Sequence, residues 1–80
     1  MLNKALEKVD VFTIGEIIKF IGDTYYSTPI VLNGHKCTPG QAKIIRINKH
    51  PNVKHPYFIK HIDNNSDVNG WVDSNKIKSI

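Results

Sequence analysis

His55-Pro56-Tyr57-Phe58-Ile59 and Gly70-Trp71-Val72-Asp73 read as the two arms of a β-hairpin. Each begins at a Pro or a Gly and carries a bulky aromatic, and a polar Asp63-Asn64-Asn65-Ser66-Asp67 loop joins them. Pro56 suits the first position of a strand, where its missing N–H is tolerated. With a period of two, Tyr57, Ile59 and His61 share one face and Phe58, Lys60 and Ile62 the other.

Working outward, the chain continues in the same style. Residues 17–21 (Ile-Ile-Lys-Phe-Ile) form the first strand, punctuated by Gly22-Asp23. Tyr25-Tyr26 and Ile30-Val31-Leu32 flank Ser27-Thr28-Pro29 as two extended arms of a long loop. Asn33-Gly34 is a tight-turn dipeptide, because both residues tolerate positive φ. Thr38-Pro39-Gly40 is another turn. Residues 42–47 form a strand whose isoleucines at 44, 45 and 47 cannot share one face under strict alternation. A bulge near Ile45-Arg46, or burial on both sides, reconciles them. Asn48 to Val53 is a polar loop, and a last strand near the C-terminus turns Ile77 inward. At the other end, Leu2, Ala5, Leu6 and Val9 follow helical spacing. Residues 1–13 are therefore a linker or short helix, and residues 14–80 the folded domain.

Eighty residues, 12 of them Ile and six Val, make one small β-leaning domain. A chain of this size buries only about 60% of the surface its unfolded form exposes. Five or six short strands at turn-rich spacing predict an all-β small antiparallel barrel. The net charge of +4 favours anionic partners, although a charge of this size also serves simple solubility. No apolar run reaches the length of a membrane span.

Chemistry is sparse. Cys37 with His35, His50, His55 and His61 lacks the tight ligand spacings of a zinc site, so neither a metal nor a cofactor is expected. The turn-adjacent Asp23, Asp63, Asp67 and Asp73 suit backbone capping better than acid–base catalysis. No nucleophile has a convincing base, so an enzyme is not expected. His55 is the distinctive histidine. The following proline restrains it to an extended conformation, which fixes the ring either for an amide or carboxylate ligand or for a loop carbonyl. Five of the seven aromatics, Tyr25, Tyr26, Tyr57, Phe58 and Trp71, lie in the same regions. Neighbouring aromatics in an extended chain point to opposite sides, so one of each pair serves the core and the other a groove.

Four segments in order, Gly22-Asp23-Thr24-Tyr25-Tyr26, Cys37-Thr38-Pro39-Gly40-Gln41-Ala42-Lys43-Ile44, His55-Pro56-Tyr57-Phe58-Ile59 and Gly70-Trp71-Val72-Asp73 with Ile77 beyond, carry a family pattern. From about Ile14 to Ile80 the chain resembles the bacterial SH3-like cell-wall-binding modules at the C-termini of phage and prophage endolysins, including lysins of the N-acetylmuramoyl-L-alanine amidase type, and of clostridial-type wall proteins. The resemblance implies an SH3-like barrel that binds Gram-positive peptidoglycan without catalysis, through the peptide stem or cross-bridge, and holds a linked hydrolase at the wall. Wall teichoic acid is a further partner. The implied location is the bacterial cell wall or the cell exterior, reached by a lysin released from the host cytoplasm. The binding residues expected are Tyr25, Tyr26, His55, Tyr57 and Trp71, with Trp71 the one closest to a core role. Phe58 departs from the pattern, which often has a polar residue there. Two other classes fit the composition. One is a phage tail or baseplate interaction domain. The other is a lysine-rich nucleic-acid-binding barrel, disfavoured by a single Arg and by the absence of an RNP or helix-turn-helix pattern.

Overall fold

The structure, a computed structural model, describes residues 12–64 and 66–80. The helical reading of residues 1–9 lies outside them. Seven strands follow one another: β1 (Ile17–Phe20), β2 (Thr24–Tyr25), β3 (His35–Lys36), β4 (Gly40–Ile47), β5 (Tyr57–His61), β6 (Asn69–Val72) and β7 (Ile77–Ser79). A single 3₁₀ turn, Ser74–Lys76, leads into β7. The all-β expectation holds, and the hairpin read from residues 55–73 is the antiparallel β5–β6 pair.

Alternation sets the layers. β1 buries Ile18 and Phe20 and exposes Ile17 and Lys19. β4 buries Ala42 and Ile44, β5 buries Tyr57 and Ile59, and β6 contributes Val72. With Val68 and Ile77 these side chains form one core, and Phe12, Tyr25, Cys37 and Ile47 pack at its margin. Burying a side chain the size of Ile, Val or Phe contributes about 1.5–3 kcal/mol, so this inner face supplies most of the folding drive. At this margin the Phe12 ring meets Tyr57 edge-on at 5.5 Å.

The isoleucine puzzle in β4 resolves as a bulge. The β4–β5 register runs Ile44↔Ile59 and then Arg46↔Phe58, leaving Ile45 unpaired. Strict alternation from the buried Ile44 would turn Arg46 inward and Ile47 outward. The extra residue restores the opposite arrangement, with Arg46 exposed and Ile47 against the core.

The sheet is not closed. Its order is β6-β5-β4-β1-β7, and β2 and β3 form a separate two-stranded ribbon. At the outer edge of β6, Tyr26 and Trp71 exchange two backbone hydrogen bonds of 2.8 Å. At the other side of the sheet the Ile21 N–H donates to the Lys76 carbonyl at 2.8 Å and extends the β1–β7 pairing. What is seen is therefore a small all-β domain of two antiparallel sheets.

Asn33-Gly34 is not a positive-φ hairpin turn: among the described residues only Gly15 has positive φ. Gly34 is needed for another reason. A Cβ there would lie 2.2 Å from Thr24 Cγ2, because the two ribbon strands pass so closely. Gly70 is more constrained still. It faces inward opposite Ile59, and the Tyr25 ring occupies the space where a side chain would go, 2.4 Å from an ideal Cβ. The Tyr26 carbonyl oxygen would be 2.7 Å away, and backbone yields less readily than a side chain. Gly70→Ala is therefore expected to destabilise the domain by about 1–3 kcal/mol. A denaturant titration with an unchanged midpoint would show that the Tyr25–Gly70 contact is not tight.

Candidate functional site

Two of the expected site residues, Tyr26 and His55, meet ring on ring. His55 stands just before β5 and is only 5% exposed. Its Nε2 lies 2.8 Å from the Val31 carbonyl oxygen. That oxygen only accepts, so Nε2 carries a proton and donates. Its Nδ1 bonds the Asp73 carboxylate at the end of β6. The Tyr26 ring lies flat on the imidazole, with centroids 3.6 Å apart and planes within 3°. The backbone joins the same knot, since the His55 and Lys54 N–H groups both donate to the Pro29 carbonyl, at 2.9 and 3.1 Å.

Of the two roles left open for His55, the loop carbonyl is the one occupied. Both ring nitrogens are used inside the protein and one face is covered by Tyr26. His55 thus positions other groups rather than presenting itself to a ligand. Tyr25 fills the space over Gly70 and its ring lies 5.2 Å from that of His35. Tyr57 is turned inward against Phe12. Trp71 is half-buried on the outer face of the sheet, edge-on to Phe58 at 5.3 Å, not in the core. Phe58 accordingly partners Trp71. The five residues cluster around β5 and β6 without forming one continuous surface.

Of the five, Tyr26 opens onto a polar cleft. Gly22, Asp23, Thr24, Tyr26, Asp73 and Lys76 line a hollow of about 220 Å³. Two carboxylates and one ammonium in so small a space suit a ligand that carries both an amine and a carboxylate. The Asp23 carboxyl is held below its ordinary range by the Thr24 hydroxyl, 3.0 Å away, and then by the charge of Lys36. It stays ionised at neutral pH. Asp73, Asp23 and Lys76 were not singled out as ligand groups in the sequence, because nothing local brings residues 23 and 76 together. The Ile21–Lys76 backbone bond does so. A second, more apolar groove of about 530 Å³ runs between Phe12, Ile47, Val53, Pro56 and Tyr57, and this is the one Tyr57 borders.

Among the described residues no group of three or more His, Cys, Asp or Glu side chains is placed to hold a metal ion. Cys37, half-buried beside the ribbon, has its thiol pushed up to about 11, first by burial and then by the nearby charges of Asp67 and Asp23. None of the described helices is long and apolar enough to cross a membrane. No protein-family model, curated protein or solved structure matches the chain.

Two outcomes follow from this geometry. Truncating His55 strands a half-buried carbonyl, frees Asp73 and removes the support of Tyr26. His55→Ala is expected to cost about 3 kcal/mol, which lowers the melting temperature of a domain this size by more than about 10 °C. Asp73→Asn keeps a hydrogen-bonding group and is expected to cost about a third as much. Equal melting temperatures for parent and His55→Ala would contradict the keystone role.

The thiol gives a pH signature. A proton held more tightly in the folded state means that native protein binds more protons than unfolded protein between the ordinary thiol value and about 11. Stability must therefore fall as pH rises through that window, and Cys37→Ser must flatten the fall. Chemical denaturation at pH 8 and pH 10.5, parent against Cys37→Ser, measures it. Identical slopes would refute the assignment.

Proposed function

We propose that this domain is a non-catalytic binding module for the Gram-positive cell wall, recognising the peptide stem or cross-bridge of peptidoglycan. The observation that carries the reading is the Tyr26 ring, pinned flat on His55 at the wall of a polar cleft that also holds Asp23, Asp73 and Lys76. Wall peptides carry free amines and carboxylates on short side chains. Asp23 and the outer oxygen of Asp73 suit the amine, Lys76 suits the carboxylate, and Tyr26 gives a rigid apolar wall with a polar tip. A preorganised wall limits the ordering cost of binding. The resemblance of the four segments to SH3-like wall modules points the same way.

The finer architecture we propose is an SH3-like small barrel. Its support is the path of one chain segment. β1 pairs with β7 at one edge of the sheet, and the same segment continues through β2 to Tyr26, which pairs with Trp71 at the opposite edge. The two edges are thus joined by the chain itself. Fused to a hydrolase, such a module raises the local enzyme concentration at an insoluble polymer.

Sedimentation with purified walls tests the function. At about 0.5 M salt the Debye length is only about 4 Å, so retention there reports short-range contacts. The parent is expected to be retained at this salt. Asp23→Asn and Lys76→Gln, both at exposed positions, are expected to weaken retention about fivefold each with little change in melting temperature. A parent that stays in the supernatant at every salt concentration would end the wall-binding reading. Full retention of both variants would move the site away from this cleft.

A further inference from the structure

The outer face of the five-stranded sheet presents an unbalanced charge pattern. Its exposed positions include Ile17 and Lys19 on β1, Gln41, Lys43, Ile45 and Arg46 on β4, Lys60 on β5, Asn69 on β6 and Lys78 on β7. The register sets these side chains directly against one another: Lys19 faces Lys78 across β1–β7, and Lys43 faces Lys60 across β4–β5. Directly opposed residues in an antiparallel pair have Cβ atoms about 5 Å apart, where like charges destabilise. The ion pairs Lys36–Asp23 and His55–Asp73 involve none of these four lysines. Asp63 is the acidic residue at this face, in a groove it shares with Lys19 and Gln41 at one end.

Two cross-strand lysine pairs on one face disfavour folding, and an anion bound across them would relieve the repulsion. We infer that this face binds a phosphodiester polymer of the wall, a teichoic acid with a polyol phosphate backbone. The inference rests on the wall-binding reading and adds a second ligand at a second place. Lysine ammonium groups act as point charges on isolated phosphates. The lysine pairs form two successive rows, Lys78–Lys19 and Lys43–Lys60, and between them lie Ile17 and Gln41 rather than aromatics. Phe58 and Trp71 sit in the next row with Arg46 and pack edge-to-face on each other. A chain crossing the lysine rows meets no stacking platform of the kind that holds single-stranded nucleic acid. This favours a polyanion without bases.

The test compares Lys43→Gln/Lys60→Gln with Lys49→Gln/Lys54→Gln, an equal loss of charge in the exposed loop before β5. The probes are intact walls, walls stripped of phosphodiester polymers by hydrofluoric acid, soluble poly(glycerol phosphate) and a single-stranded DNA oligomer, all at about 0.1 M salt. The face variant is expected to bind intact walls and poly(glycerol phosphate) roughly tenfold more weakly than the parent, the loop variant within about twofold. Stripping the walls should abolish the difference between parent and face variant. The face variant should melt at or above the parent temperature, since one repulsive pair is gone, so lost binding cannot be ascribed to unfolding. Equal losses in both variants would reduce the effect to net charge and overturn the proposal. DNA bound more tightly than poly(glycerol phosphate) at equal phosphate concentration would also overturn it, in favour of nucleic acid. Retention on stripped walls at about 0.5 M salt with no face dependence at low salt would leave the wall reading standing and remove this surface. Binding to poly(glycerol phosphate) through the face, with no retention on walls, would do the reverse.

Discussion

One imidazole holds four parts of this chain together. His55 links the start of β5 to the end of β6 through Asp73, to residues 29–31 through the Val31 and Pro29 carbonyls, and to the end of the ribbon strand through Tyr26. The long loop between β2 and β3 depends on this linkage more than any other segment. Its large apolar side chains do not anchor it, since Ile30 and Leu32 are 61% and 77% exposed. What places it is a set of hydrogen bonds to a ring and a backbone that are themselves out of water. A buried polar ring is costly when a nitrogen goes unpartnered, and specific when both are satisfied. Pro56 contributes by restricting the residue before it to an extended conformation, so the ring has little freedom to leave.

The bulge at Ile45 has a comparable effect on the sheet. Without it β4 would turn Arg46 toward the core and Ile47 toward water. With it, Ile44 and Ile47 both pack inward although three residues apart, and Arg46 joins the basic outer face opposite Phe58. One inserted residue thus serves both sides of the sheet, completing the apolar layer and extending the cationic one. The two faces also differ in energetic sign. The inner face stabilises through burial, whereas the outer face carries opposed lysines that oppose folding. A domain of 80 residues has a small core, and such a surface persists in it only because the inner face outweighs it.

Much of the fold was legible in the residues because it follows local rules. The β5–β6 hairpin, the alternation of β1, the inward Ile77 and the bulge in β4 all follow from periods of two and their interruptions. The Asn33-Gly34 turn was misread because the dipeptide permits positive φ without requiring it, and here close packing against Thr24 is what excludes a side chain at Gly34. The site was legible in part. His55 and Tyr26 stood out, yet their meeting in one stack depends on how the ribbon crosses β6. Trp71 was placed nearer the core than it is, since a large aromatic in a four-residue strand says nothing of which face it occupies. The lysine rows were present as alternating residues in four strands, but a cross-strand pair exists only once register is known.

The cleft and the lysine face are neighbours by construction. Phe20 pairs with Ile77, and both point inward. On one side of this pair lie Gly22, Asp23 and Lys76, which line the cleft. On the other, Lys19 and Lys78 begin the basic rows. A single buried Phe–Ile contact therefore fixes the distance between the two proposed binding places. Two weak contacts held at such a fixed spacing on one polymer would give retention that neither gives alone, because attachment at one place makes the second an intramolecular event.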